Sequence, residues 1–249
     1  MKKGHRPSKS KGGLPRFWGK HAVYAALDNP ARNVRKLWAT REAAAEIVLP
    51  DGLTISYAEA ADLGRMVPKD TPHQGLVIEI DPLEDMWLAD LLHEAEDNPN
   101  RPLIVLDQVT DPHNVGAIFR SAAAFNAIGV VTQDRHAPPE SGTVAKSASG
   151  ALESVPWIRV VNLSRALEEI AEAGFWRIGL SGHADSNLAE AIGSAKVAIV
   201  MGAEGEGLRQ NVEAHCDLIA KLPISAQMES LNVSNAAAIA MYAIATRGE

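Results

Sequence analysis

Beyond residue 100, short runs of apolar and β-branched residues alternate with Ala-rich stretches of helical period. The runs lie at Leu103–Leu106, Ile128–Val131, Trp157–Val161, Trp176–Leu180, Val197–Met201 and Leu218–Leu222. They lack the every-second-residue polar positions of a half-exposed strand, which predicts strands covered on both faces, as in a mostly parallel sheet. Helices are expected between or after them, at Val115–Asn126, Ala145–Glu153, Ser164–Glu172, Leu188–Ile192, Leu208–Ala214 and Val233–Thr246. Before residue 80 the pattern is that of a smaller α/β unit. It predicts helices near His21–Leu27, Glu42–Ile47 and Ala58–Met66, with strands near Val34–Ala39 and Gly75–Ile80. Residues 1–16 are rich in Lys, Gly, Ser and Pro and are expected to be disordered. Residues 83–100 are acidic and close on Glu96-Asp-Asn-Pro-Asn100, the punctuation of a linker. The expected organisation is a tail over 1–16, an accessory domain over 17–82, a linker over 83–100 and a parallel-sheet domain over 101–249.

Composition narrows the class. A chain of 249 residues with 46% apolar content can bury a substantial core in one or two domains. No stretch approaches the ~18–20 apolar residues of a membrane span. The basic N-terminus has no apolar segment behind it and does not read as a secretory signal, so a cytoplasmic protein is expected. The single cysteine, Cys216, rules out an internal disulfide and any multi-cysteine metal site. The net charge of −7 argues at first against a nucleic-acid partner, but its distribution matters more. Residues 1–20 carry seven Lys or Arg and no acid, leaving 24 − 7 = 17 bases against 31 acids in the remainder. A basic tail on an acidic body suits either an arm that adds sequence-independent phosphate affinity or a merely solubilising segment.

In an open parallel sheet, ligands sit at the carboxyl ends of the strands. Three segments leave such ends. The first, Asp107-Gln-Val-Thr-Asp-Pro-His-Asn-Val-Gly-Ala-Ile-Phe-Arg120, offers Asn114 as a helix N-cap and Gly116 as a point of close approach for a second backbone or a substrate. Arg120 lies about 600° around the helix from Asn114, on a different face. The apolar residues that follow it predict a half-buried guanidinium, which needs an anionic or polar target. The second, Met201-Gly-Ala-Glu-Gly-Glu-Gly207, has the spacing G-x-x-G-x-G, which is neither a dinucleotide fingerprint nor a P-loop. Its glutamates would repel a polyphosphate and suit a cationic or hydroxyl-bearing ligand. The third runs from Leu222 through Ser230-Leu-Asn-Val-Ser-Asn235 into a helix of small residues. Each segment read alone is matched by an ordinary turn or capped helix. Other chemistries find less: the eight histidines are scattered with no i,i+4 pair, and there is no Gly-x-Ser-x-Gly elbow.

Taken together and in this order, the segments resemble the three motifs of the SpoU family in the SPOUT methyltransferase superfamily. Asn114-x-Gly-x-x-x-Arg120 resembles motif 1, Met201–Gly207 motif 2, and Leu222-Pro-Ile with Ser230-Leu-Asn-Val-Ser234 motif 3. Supporting similarity covers Lys146–Ala151, Val155-Pro156 and Asn162-Leu163. Gly19-Lys-His-Ala-Val23 and His73-Gln-Gly75 are similar to the small L30e-like substrate-binding domain of the 23S rRNA guanosine-2′-O-methyltransferase branch. The similarity spans roughly residues 17–247, with no departure at a motif position.

The resemblance implies an α/β fold with a C-terminal parallel-sheet domain tied as a trefoil knot, preceded by the L30e-like domain. It implies methyl transfer from S-adenosyl-L-methionine to a ribose 2′-hydroxyl of RNA, with 23S rRNA favoured. Alternatives are a tRNA substrate, or a non-catalytic RNA-binding or ribosome-assembly protein of the same fold. By position, Gly202, Leu222 and Leu231 would contact the cofactor through backbone groups and Ile224 would line the adenine slot. Arg120, Asn114, Glu204, Ser230 and Asn232 would form the catalytic set. The family acts as homodimers, without metal or membrane. For Arg120 two roles stay open, a transiently deprotonated base or a stabiliser of the forming alkoxide while water takes the proton. Because a guanidinium is normally permanently charged, the second is favoured.

Overall fold

The computed structural model describes residues 13–95, 101–225 and 227–247. The expected basic tail falls largely outside these residues, as do positions 96–100 of the expected linker. The chain divides into two compact units, one formed by residues up to Asp85 with Pro139–Gly142, the other by Met86–Pro138 with residues from Thr143 onward.

The first unit contains β1 (Arg16–Trp18), α1 (Lys20–Asp28), β2 (Val34–Ala39), α2 (Arg41–Ala44), β3 (Ile55–Tyr57), α3 (Ala60–Gly64) and β4 (Leu76–Ile80). Its sheet has the order β1-β4-β2-β3, with β4 antiparallel to β1 and β2 and β3 parallel to β2. Phe17, Leu37 and Ile78 are buried in it, and Trp18, Leu63 and Val77 form a separate cluster. Ion pairs at its surface join Arg35 to Asp81 (2.6 Å) and Arg16 to Glu79 (2.9 Å). The exception is Arg32, whose buried guanidinium pairs with Glu140 (2.8 Å) and donates to the Asp81 carbonyl (3.0 Å). The strands β1 and β3 are too short to show an alternating pattern, and the sequence gives no sign of them.

The second unit contains α4 (Leu88–Glu94), β5 (Leu103–Leu106), α5 (Pro112–Ala124), β6 (Gly129–Gln133), α6 (Gly142–Ala148), β7 (Trp157–Val160), α7 (Leu163–Glu172), β8 (Phe175–Leu180), β9 (Ser186–Asn187), α8 (Leu188–Ala191), β10 (Lys196–Met201), α9 (Gln210–Glu213), β11 (Leu218–Lys221) and α10 (Val233–Ala245). Its seven strands run in the order β7-β6-β5-β10-β8-β11-β9, every pair parallel. The sheet is covered on both faces, as the apolar runs predict: all four residues of β5 and five of six in β10 are buried. Within the stretch expected as a linker, Leu88, Leu91 and Leu92 of α4 join the core beside Leu103, Val131 and Phe175. Their spacing at i, i+3 and i+4 is a helical apolar stripe; the surrounding acids mask it in the sequence. Among the described residues no helix is long and apolar enough to cross a membrane.

Candidate active site

Because every strand pair in the large sheet is parallel, the loops after β5, β10 and β11 leave from one edge. They carry the three motif segments. β5 and β10 are neighbours, so the first two segments meet directly, whereas the third must return past β8. It does so through α10, which packs against both α5 and β10.

The meeting point is one oxygen atom. Glu204 Oε1 accepts hydrogen bonds from Asn114 Nδ2 (3.2 Å), Asn232 Nδ2 (2.5 Å) and the Val233 backbone N–H (3.2 Å). Asn232 Nδ2 also donates to Asn114 Oδ1 (2.9 Å), so its two N–H groups serve motifs 1 and 2 at once. The carbonyl oxygen of the same amide caps α10, accepting from the Ser234 N–H (2.9 Å), the Asn235 N–H (3.4 Å) and the Ser234 hydroxyl (2.6 Å). An aspartate at position 232 would lose both donated bonds, which explains the amide here.

Two expectations for the first segment need correction. The N-cap of α5 is Asp111, not Asn114: the Asp111 carboxylate accepts from the His113 N–H (3.0 Å) and Pro112 fills the first helical position. Asn114 sits inside the first turn, which frees its side chain for Glu204. Arg120 is exposed rather than half-buried, with no ion pair or hydrogen bond among the described residues. The apolar residues after it, such as Ala122, point to the core while Arg120 occupies the outer face. It shares that face with His113, seven residues earlier, whose Nδ1 lies 3.2 Å from Ser147 Oγ. Gly116 serves a second backbone: a Cβ there would lie 2.5 Å from both the Val144 carbonyl oxygen and Ser147 Cβ of α6.

The glycine loop closes on itself. Ala203 bridges to Gly207, and a Cβ on Gly202 would lie 2.0 Å from the Gly207 carbonyl carbon. Gly205 and Gly207 take positive φ (84° and 70°), conformations open to glycine at little cost. Glu204 is thereby presented at the tip of a tight turn. Leu222, Leu231 and Gly202 are partly exposed around the strand ends, Ser230 is exposed, and Ile224 shows 38% of its surface. Among the described residues no group of acidic, histidine or cysteine side chains is arranged to hold a metal ion. Cys216 is no nucleophile here: burial pushes its thiol up to about 12.

The profile described as the SpoU rRNA Methylase family matches residues 101–242, more than half of the chain. The chain belongs to that family. A second profile, RNA 2′-O ribose methyltransferase substrate binding, matches residues 17–86 of this SpoU protein. Among its relatives, the 23S rRNA (guanosine-2′-O-)-methyltransferase RlmB of Ralstonia nicotianae is 39% identical, covering 90% of this chain and 92% of that protein. An uncharacterized tRNA/rRNA methyltransferase of Synechocystis is 38% identical over 93% of this chain, which spans only 62% of that protein's length. A solved structure of a putative RNA methyltransferase of the TrmH family from Porphyromonas gingivalis has a TM-score of 0.75 at 26% identity, covering 93% of this chain and 89% of that one.

One polar group of this SpoU chain lies outside the three motifs. Asp107, at the end of β5, is fully buried and forms an ion pair with Arg209, just beyond the glycine loop (2.6 Å). An acid directly after four buried apolar residues is the signal that was available, since a buried carboxylate requires a partner. Nothing in the sequence says that the partner lies 102 residues away.

Proposed function

We propose that this protein transfers a methyl group from S-adenosylmethionine to a ribose 2′-hydroxyl of RNA, and that its target is a guanosine of 23S rRNA. The observation that carries the reading is the convergence of three motif segments on Glu204 Oε1 at the carboxyl edge of a parallel sheet, in a chain of the SpoU family. The guanosine target follows relatives such as RlmB of Ralstonia nicotianae, with the substrate-binding profile over residues 17–86 as support for a recognition domain.

When bound, S-adenosylmethionine supplies an electrophilic methyl group on a sulfonium. The backbone at Gly202, Leu222 and Leu231 would hold it, with Ile224 against the adenine. The fit rests on Ile224, an exposed apolar side chain on the strand-end loop, of the kind that covers the face of a base. Asn114, Glu204 and Asn232 fix the relative positions of the three loops, and Ser230 presents a hydroxyl to the substrate pocket. Arg120 binds the phosphate next to the reacting ribose and stabilises the oxygen as it loses its proton to water. A cation with no carboxylate paired to it among the described residues is suited to this.

The same reading extends to the knot and to assembly. Support for a threaded chain comes from β11 lying beyond β8 while α10, which follows it, packs on α5 and β10. On α10, Ile239 and Tyr242 expose 45% and 57% of their surface, an apolar face suited to a second copy in a cytoplasmic homodimer.

The test is incubation with tritiated S-adenosylmethionine and separate pools of unmodified rRNA and tRNA, followed by mapping of the 2′-O-methyl position. Label at one guanosine of 23S rRNA is the expected result. Label in tRNA alone would replace the substrate, and no label in either pool would overturn the enzymatic reading.

A further inference from the structure

Of the glycine loop, only Leu208 at its end packs a side chain against the core, so the loop's shape depends on how its two ends are held. Its first end is fixed by β10. Its second end is fixed by a buried carboxylate paired with a partly exposed guanidinium, neither of which belongs to the three motifs. The Asp107 carboxylate is fully buried and takes every donor that Arg209 directs at it. The Arg209 backbone N–H donates to Oδ2 (3.0 Å), Nε donates to Oδ1 (2.8 Å), and Nη2 lies 2.6 Å from Oδ1. The Asp107 backbone N–H meanwhile donates to the carbonyl of Met201, the last residue before the loop (2.7 Å). Asp107 therefore grips both ends of the loop, through its backbone at residue 201 and its side chain at residue 209.

The grip extends across the sheet. Arg209 Nη2 donates to Gln133 Oε1 (2.9 Å) at the end of β6, and Gln133 Nε2 donates to the Val161 carbonyl (3.1 Å) beyond β7. The loop is thus tied to rigid strand ends on the side away from β8 and β11. Glu204 ties it to the third segment on the other side.

We infer that Asp107 and Arg209 are positioning residues for the cofactor: they set the separation of the two ends of the 202–208 loop, and with it the backbone that receives S-adenosylmethionine. The inference rests on the methyltransferase reading above. Neither side chain needs to touch the cofactor. The carboxylate is fully buried and both of its oxygens are held by Arg209, Oδ1 by Nε and Nη2 and Oδ2 by the backbone N–H, so moving residue 209 away would leave a buried charge without donors.

Arg209→Lys keeps the charge that the buried carboxylate needs and removes the fork, so it is the milder probe. The paired change Asp107→Asn with Arg209→Gln replaces the ion pair by two amides and leaves no buried charge. For both, KM for S-adenosylmethionine should rise about tenfold or more, with KM for RNA and the melting temperature of the rest of the fold little changed. Arg209→Lys should lose less than the paired change, and Gln133→Leu, which removes only the outer tie, less again. Variants that melt earlier yet keep the wild-type KM for S-adenosylmethionine assign the pair to stability alone and overturn the inference. So does an equal rise in both KM values. A wild-type protein that fails to bind S-adenosylmethionine by calorimetry sinks the methyltransferase reading instead, which separates the two failures.

Discussion

The two faces of α5 are prepared to very different degrees. On one, Asn114 is locked with Glu204 and Asn232 into a set of hydrogen bonds that joins the three strand-end loops. On the other, Arg120 stands exposed with no partner among the described residues. The first face has its hydrogen bonds in place within the described chain, while on the proposed function the second takes an anion as its partner. This division separates geometry from chemistry. Preorganised amides and a carboxylate hold the frame, and on the proposed function Arg120, without a partner among the described residues, is left for the group on which negative charge develops.

Removing Arg120 should have the largest effect. Arg120→Ala is expected to lower kcat by about 10²–10³ while the S-adenosylmethionine Kd stays within twofold, measured by single turnover and calorimetry. A large loss of cofactor affinity would break the contrast between the faces. Next is Gly116→Ala, which disturbs the seating common to both. The new methyl would meet α6 backbone at 2.5 Å, so a loss of about 1–3 kcal/mol in stability is expected by denaturant unfolding. Glu204→Ala strips the acceptor from three donors at an exposed position and should cost about tenfold in kcat/KM with a small change in melting temperature. A loss as large as that of Arg120→Ala would mean that the frame is itself part of the chemistry.

The smallest effect sharpens the contrast from outside it. Arg177 and Asp217 form a two-pronged pair between β8 and the start of β11, at the opposite ends of these strands from the motif loops. The Arg177 hydrogen bond holds the Asp217 carboxyl below its ordinary range, partly offset by desolvation. A depressed carboxyl contributes stability that is present above its unfolded pKa and lost as pH falls through the folded value. Stability should therefore decline below about pH 4, and Asp217→Asn should flatten that acid limb by less than about 1 kcal/mol, leaving methyl transfer at neutral pH unchanged. Acid melting curves of the two proteins test this.

How far the sequence reveals such an arrangement depends on the range over which each feature is decided. The strands of the large sheet are legible because a strand buried on both faces writes an unbroken apolar run, as Val197–Met201 does. The three motif segments are legible as a set because their order and strand-end positions recur across a family. The cap of α5 is a local choice between Asp111 and Asn114, both good capping residues, and Pro112 decides it by taking the first helical position. The exposure of Arg120 depends on which face of α5 meets the core, which a run of alanines does not announce. Pairings such as Asp107 with Arg209 join positions 102 residues apart, and only the strand order brings them together.

The convergence on Glu204 also has a consequence in time. Its partners lie 90, 28 and 29 residues away along the chain, and Asn114 and Asn232 are separated by 118. Contacts of that span close only after the loops between them have lost their freedom, so they belong to the slow end of folding. Helices, and the strand pairs β5–β6 and β8–β10 that join residues nearer in sequence, can recover earlier. A refolding protein should regain its far-ultraviolet circular dichroism before its affinity for S-adenosylmethionine, with the delay marking the moment when the third segment comes home.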